Sequence, residues 1–228
     1  MNKNCIIMEY STNIGRELRG ALISNGNRCW VCPREKVGIN DSERSSDENT
    51  FSTYLKIISD NGPMDSVIFD IINDVPAKFD LFDYRLFVNM IEHTITDFFN
   101  TLQLVTQHML TSKGAIWVLT REDSLEYHLP AIINPIIAHS QNSLVKCVAK
   151  EVARFGITIN AAMLQLSAQD VHGQTWKEAN GLKAYSSRFK PLTSKSVAAL
   201  LATLIDLPEV PMNGSMLNIG LGTSEYNI

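Results

Sequence analysis

Short apolar runs alternate along the chain with longer stretches in which apolar residues recur every three or four positions, and that order predicts the architecture. Cys5 to Met8 is a brief buried-strand run. Ile14, Leu18, Ala21 and Leu22 then follow helical spacing until Asn25-Gly26 supplies a C-terminal stop. Cys29 to Cys32 is the next strand, and a polar stretch from Glu35 to Thr50 leads to a helix with Phe51, Leu55 and Ile58 on one face. Asn61-Gly62-Pro63 closes that helix ahead of a strand at Ser66 to Ile71. A long helix carrying Ile91, Ile95, Phe98, Leu102, Val105 and Met109 ends at Gly114 and precedes the strand Ala115 to Thr120. Pro135 suits the first turn of a helix bearing Leu144, Val148 and Val152, closed by Phe155-Gly156 before the strand Ile157 to Met163. Val197, Leu200, Leu201 and Leu204 mark a last helix, and Met216 to Ile219 a last strand.

Strands that are apolar throughout and alternate with helices require a parallel sheet covered on both faces. The expected fold is therefore a single doubly wound, Rossmann-like α/β domain over residues 1–228, with about six or seven parallel strands. The polar segments at 35–50 and 167–190 read as loops of that domain, and no internal repeat or low-complexity tract interrupts it.

Composition narrows the function. The 228 residues are 45% hydrophobic and 19% charged, an ordinary globular balance that excludes disordered, collagen-like and coiled-coil classes. With 20 basic and 24 acidic residues the net charge is -4, and no basic stripe offers nucleic acid an electrostatic footing. The first apolar run is too brief for a signal peptide or a membrane span, so a cytoplasmic protein that binds neither membrane nor nucleic acid is expected. The four cysteines, Cys5, Cys29, Cys32 and Cys147, are too few and scattered for a disulfide framework. Cys29 and Cys32 would face opposite sides of a strand, which favours buried thiols over a zinc or redox pair, and no metal is expected.

Several local strings resemble the short-chain dehydrogenase/reductase family, from residue 4 to residue 222. Ala149-Lys-Glu-Val-Ala-Arg-Phe-Gly-Ile-Thr-Ile-Asn-Ala161 is similar to the family segment A-x-E-x-A-x-x-G-I-x-V-N-A, and Asn213-Gly-Ser-Met-Leu-Asn-Ile-Gly-Leu-Gly222 to its final G-x-x-L-x-V-D-G-G strand. The chain is short for the family between Arg34 and Phe51, where a helix after the second strand is missing. The resemblance implies a catalytic Ser, a Tyr and Lys spaced Y-x-x-x-K, and an Asn in the preceding long helix. Gap-free counting places the Ser position on Arg121, the Tyr position on Asn134, the Lys position on Ala138 and the Asn position on Thr94. Carbonyl reduction needs a tuned proton donor beside the developing alkoxide. Asn134 has no proton to give and Ala138 no charge with which to tune one.

The resemblance also implies a dinucleotide site of the form T-G-x-x-x-G-x-G, which here reads Met8-Glu-Tyr-Ser-Thr-Asn-Ile-Gly15. Gly15 alone keeps its glycine; Asn13 is expected to take a left-handed conformation in place of another, and Glu9 puts a negative charge where phosphates would approach. Phe69-Asp-Ile-Ile72 stands in the place of N-N-A-G, and Leu164-Gln165 in that of P-G. Arg34 falls where NADP-using relatives place a basic residue, and Asp41 where the family contacts adenine; a solvated arginine and a turn aspartate are the competing readings. Arg121, followed by Glu122 and Asp123, is either an anion clamp or the structural partner of a nearby carboxylate such as Glu9. Glu9 itself is expected to replace a phosphate by accepting hydrogen bonds from the first helix near Asn13 to Gly15. His128 and His139 lie near the pocket in sequence, without a partner pattern. Tyr127 and Ser140 restore no Ser/Tyr/Lys spacing, and Trp176, Tyr185 and Phe189 fall in a lid-like segment at 167–190.

These readings lead to a pseudoenzyme of the family's fold: a subunit or ligand-binding module without dehydrogenase activity and with no cofactor expected. The alternatives are an NAD(P)-dependent oxidoreductase with an atypical site and a non-redox enzyme using the same pocket. The long helices at about 87–112 and 135–155, with Phe99 beside Phe98 and Leu104 beside Val105, predict a homo-oligomer or a pairing with an active reductase.

Overall fold

The β-branched and apolar runs form six strands: β1 Asn4–Glu9, β2 Arg28–Pro33, β3 Ser66–Asp70, β4 Ala115–Arg121, β5 Thr158–Leu164 and β6 Met216–Ile219. Four longer helices connect them: α1 Asn13–Ser24, α2 Tyr84–Met109, α3 Ile133–Val152 and α4 Ser194–Asp206. The computed structural model describes residues 2–9, 12–33, 55–56, 58–71, 84–121, 133–164 and 193–220. Arg34, Asp41, the 35–50 loop, Glu122, Asp123, His128 and the 167–190 segment lie outside the described residues, as do the side chains of Glu9 and Asn134.

The six strands make one all-parallel sheet in the order β2-β1-β3-β4-β5-β6, with helices on both faces, as the apolar runs predict. The strands and most helices match their sequence signals closely, down to the Asn25 cap and Gly26 at φ 86° after α1 and Gly156 at φ 75° after the short 3-10 turn Ala153–Phe155, while α2 ends at Met109, ahead of the expected Gly114. The family-like shortfall between residues 34 and 51 lies outside the described residues, and helical residues 55–56 and 58–60 precede β3.

Alternation along the strands divides the core in two. Ile6, Met8, Val67, Phe69, Ile116 and Val118 pack under α2 and α3, where Phe69 meets Phe98 edge-on at 5.6 Å between ring centroids. Cys5, Ile7, Ile68, Trp117, Leu119 and Leu164 pack under α1 and α4. Each fully buried Val, Leu, Ile or Phe side chain contributes about 1.5–3 kcal/mol, so two filled faces hold the sheet without disulfides. Cys29 and Cys32 do face opposite sides: Cys32 belongs to the first core and Cys29 packs against the second. On α2, Phe98 is buried while the adjacent Phe99 is 44% exposed, and Leu104 is half-buried beside buried Val105. Among the described residues no helix is long and apolar enough to cross a membrane.

Candidate functional site

In an open parallel sheet, ligands bind beyond the carboxyl ends of the strands, at the point where the strand order reverses. That reversal falls between β1 and β3, because the chain moves from β1 outward to β2 and then returns to the other side of β1. Glu9 and Asp70 follow the paired residues Met8 and Phe69 directly, so two acidic positions end the strands that bound this crevice.

Asp70 is fully buried, and its carboxylate is committed. The Thr12 backbone N–H donates to Asp70 Oδ2 at 2.9 Å, and the Thr12 hydroxyl donates to Oδ1 and Oδ2 at 2.9 and 3.0 Å. Thr12 is also the N-cap of α1, where its Oγ1 accepts from the Gly15 N–H at 3.2 Å. One threonine therefore clasps β3 to the first turn of α1 and satisfies one of the orphan amides there.

This arrangement corrects one expectation and bears on a second, although the Glu9 side chain lies outside the described residues. Asn13 does not take a left-handed conformation: it is the first residue of α1, and among the described residues Lys113 alone of the non-glycines has a positive φ. The extended cap residue Thr12 makes the entry into the helix, so Asn13 already has helical geometry. Nor does the Gly15 amide await the Glu9 carboxylate, because Thr12 Oγ1 takes it. Among the described residues, the carboxylate placed against the helix start is that of Asp70.

The cofactor that the family resemblance implies can be tested against these groups. A dinucleotide diphosphate needs open backbone amides at the helix N-terminus and no competing anion. Here the cap amide is spent on Asp70, and a like charge at about 4 Å costs about 1–4 kcal/mol at effective dielectrics of 80 to 20. At the start of α1 the Thr12 and Gly15 amides are therefore not open to a diphosphate.

Further along the edge, β4 ends at Arg121, which is 5% exposed. Asp70 pairs with Leu119, so Arg121 stands two residues beyond it on the neighbouring strand and on the same face. A buried guanidinium stays charged and requires partners, which makes Arg121 the cation of this edge among the described residues.

On the opposite face, α3 packs on β4 and β5 and sets Asn142 against their carboxyl ends. The Thr120 hydroxyl donates to Asn142 Oδ1 at 2.9 Å, and Asn142 Nδ2 donates to Met163 Sδ at 3.3 Å. Gln141, beside Asn142 on α3, is buried, and among the described residues its Nε2 has no hydrogen-bond partner. Ala138, the position of the family lysine, is buried one turn before Asn142. Thr94 is half-buried on α2, the helix against α3. Hydroxyls and carboxamides can orient a ligand, but they do not exchange protons near neutral pH. Among the described residues, no group of three or more His, Cys, Asp or Glu is arranged to hold a metal ion.

Sequence reasoning pointed to this edge of the sheet and named Arg121, which the structure places there; it did not name Thr12, Asp70, Thr120, Gln141 or Asn142. A signal for Asp70 existed, since it is the only charged residue in the otherwise apolar strand run Val67-Ile-Phe-Asp-Ile71. A charge there must be paired in a buried sheet.

Sheet order and edge groups together define a doubly wound α/β protein whose candidate ligand crevice has a clasped aspartate at its border and a buried arginine one strand further along. No protein-family model and no curated sequence matches the chain. Solved structures do. The chain is similar to a variant of actinorhodin polyketide ketoreductase solved with NADPH, at TM-score 0.75 and 18% identity over 96% of each chain. It is also similar to a variant of ElxO solved with NADPH, at TM-score 0.72 and 18% identity over 96% of this chain and 97% of the other. A third likeness is to the TT0495 protein of Thermus thermophilus, at TM-score 0.75 and 15% identity over 96% and 98%. At these identities the fold is what is shared.

Proposed function

We propose that this chain is a degenerate relative of the short-chain reductases whose fold it shares: one domain that binds a ligand or a partner subunit and catalyses no hydride transfer. The Thr12–Asp70 clasp carries the reading, because it spends the cap amide and adds an anion where a diphosphate would lie. Asn134 and Ala138 in place of the family's proton donor and its tuning lysine support it, as does Thr94 in place of the helix asparagine. The ligand this edge suits is a small anion or carboxylate held by Arg121.

Titration calorimetry with NADH and NADPH tests the cofactor part. No binding tighter than about 100 μM is expected, and a tighter dissociation constant, about -5.5 kcal/mol or stronger, would overturn it. The partner part rests on Phe99, exposed on α2, and Ile136, 38% exposed on α3. A dimer, homomeric or with an active reductase, is the proposal, and the protein is proposed to act in the cytoplasm. A monomer by light scattering at micromolar concentration, with no reductase retained in pull-downs, would refute the assembly.

A further inference from the structure

The amino ends of the strands, opposite the candidate site, bring two thiols together. In the parallel ladder of β1 and β2, Cys5 is the direct register partner of Cys29. Both belong to the face under α1 and α4, where Cys5 is fully buried and Cys29 is partly exposed. Neighbouring strands lie about 4.8 Å apart, inside the Cα range of about 4.4–6.8 Å that a disulfide spans. We propose that Cys5 and Cys29 form a redox-modification site, closing to an intramolecular disulfide when the protein meets hydrogen peroxide and reopening under thiol reductants.

The surroundings give the two sulfurs different roles. The Cys5 thiol hydrogen-bonds to the Cys29 sulfur, which holds the Cys29 thiol below its usual range, and the Arg19 guanidinium acts in the same direction. Cys5 is pushed up by that same hydrogen bond and by its burial. Cys29 is therefore both the more ionised and the more accessible thiol, as a peroxide-reactive cysteine must be. In the first step the Cys29 thiolate attacks one peroxide oxygen and the O–O bond breaks. Cys29 becomes a sulfenic acid, and the departing hydroxide takes a proton and leaves as water. In the second step the Cys5 sulfur attacks the Cys29 sulfur, the S–O bond breaks, and the hydroxyl leaves with the Cys5 proton as a second water. Two thiols and one peroxide thus yield one disulfide and two waters.

Closure is mechanically accessible because, among the described residues, β2 is an edge strand with a neighbour on one side only. The bridge must draw the two Cβ atoms toward the relaxed separation of about 3.8 Å. That strain makes the bond more easily reduced than a structural disulfide. Cys32 is not an alternative partner: it pairs with Met8 and lies in the other core.

Peptide mapping of the full chain tests the proposal. The reduced protein is treated with hydrogen peroxide, alkylated, and digested with trypsin. The expected product joins residues 4–16 to residues 29–34, is 2 Da lighter than the two peptides combined, and is lost on prior reduction with dithiothreitol. Fragment ions should place the bridge on Cys29 and not on Cys32, and Cys147→Ser should give the same product. Recovery of Cys5 and Cys29 as separately alkylated peptides, or a bridge through Cys32 or Cys147, overturns it. In Cys29→Ser the Cys5 thiol should stay reduced; the wild-type map decides the matter even if that variant folds poorly.

Discussion

Replacing Thr12 by alanine removes one hydroxyl that serves two functions, and the structure sets the expected loss. As an N-cap, Thr12 accepts from the Gly15 amide at 3.2 Å, and losing such a cap costs about 0.5–2 kcal/mol. As a donor, the same hydroxyl reaches both oxygens of the fully buried Asp70, and a hydrogen bond to a charged group contributes about 1.5–3 kcal/mol. The Thr12 backbone N–H persists in the variant and still donates to Asp70, so the carboxylate is weakened but not abandoned. The two losses share one atom and do not add fully, which leaves about 2–4 kcal/mol. For a chain of this length that lowers Tm by roughly 4–16 °C. Urea unfolding followed by far-ultraviolet circular dichroism reads the change as a lower midpoint at unchanged slope. Thr12→Ser keeps the hydroxyl and should stay within about 0.5 kcal/mol of the wild type. A Thr12→Ala midpoint equal to that of the wild type would show that the clasp does not hold α1 to β3, and the argument against a diphosphate would fall with it.

Other substitutions test the frame around the site. Asn160 is fully buried, donates to the Met212 carbonyl at 3.0 Å and accepts from the Ser215 N–H at 3.1 Å; Asn160→Ala should cost about 2–4 kcal/mol in the same urea assay by orphaning both groups. A Cβ at Gly114 would meet the backbone carbonyls of Met64 and Asp65, the latter at 2.7 Å, so Gly114→Ala should lower stability by about 1–3 kcal/mol, read as a fall in Tm. Lys3 Nζ donates to the Ile205 and Leu207 carbonyls at 2.6 Å each, at the carboxyl end of α4; Lys3→Met should cost about 1 kcal/mol, and hydrogen exchange should rise in that last turn.

Much of the fold was legible in the chain because local signals agreed with the global one. All six strands and the long helices fell where apolar period, proline and glycine placed them, as at Pro135 and at Asn25-Gly26. A buried parallel strand must be apolar on both faces and a covering helix on one, so periodicity alone distinguishes them. The carboxyl edge and Arg121 were legible for the same reason, since strand ends can be counted. What the sequence could not order was the sheet, because β1 lies between β2 and β3 only once the crossover connections are folded. That order decides which groups meet. Thr12 and Asp70 are 58 positions apart and carry no joint signal, yet they bond across the point where the strand order reverses. The same ladder sets Cys5 beside Cys29, which one-dimensional spacing reads as two scattered thiols. Local sequence dictates elements because their hydrogen bonds and apolar stripes are short-range; sites built between strands depend on register, which only the packed sheet supplies.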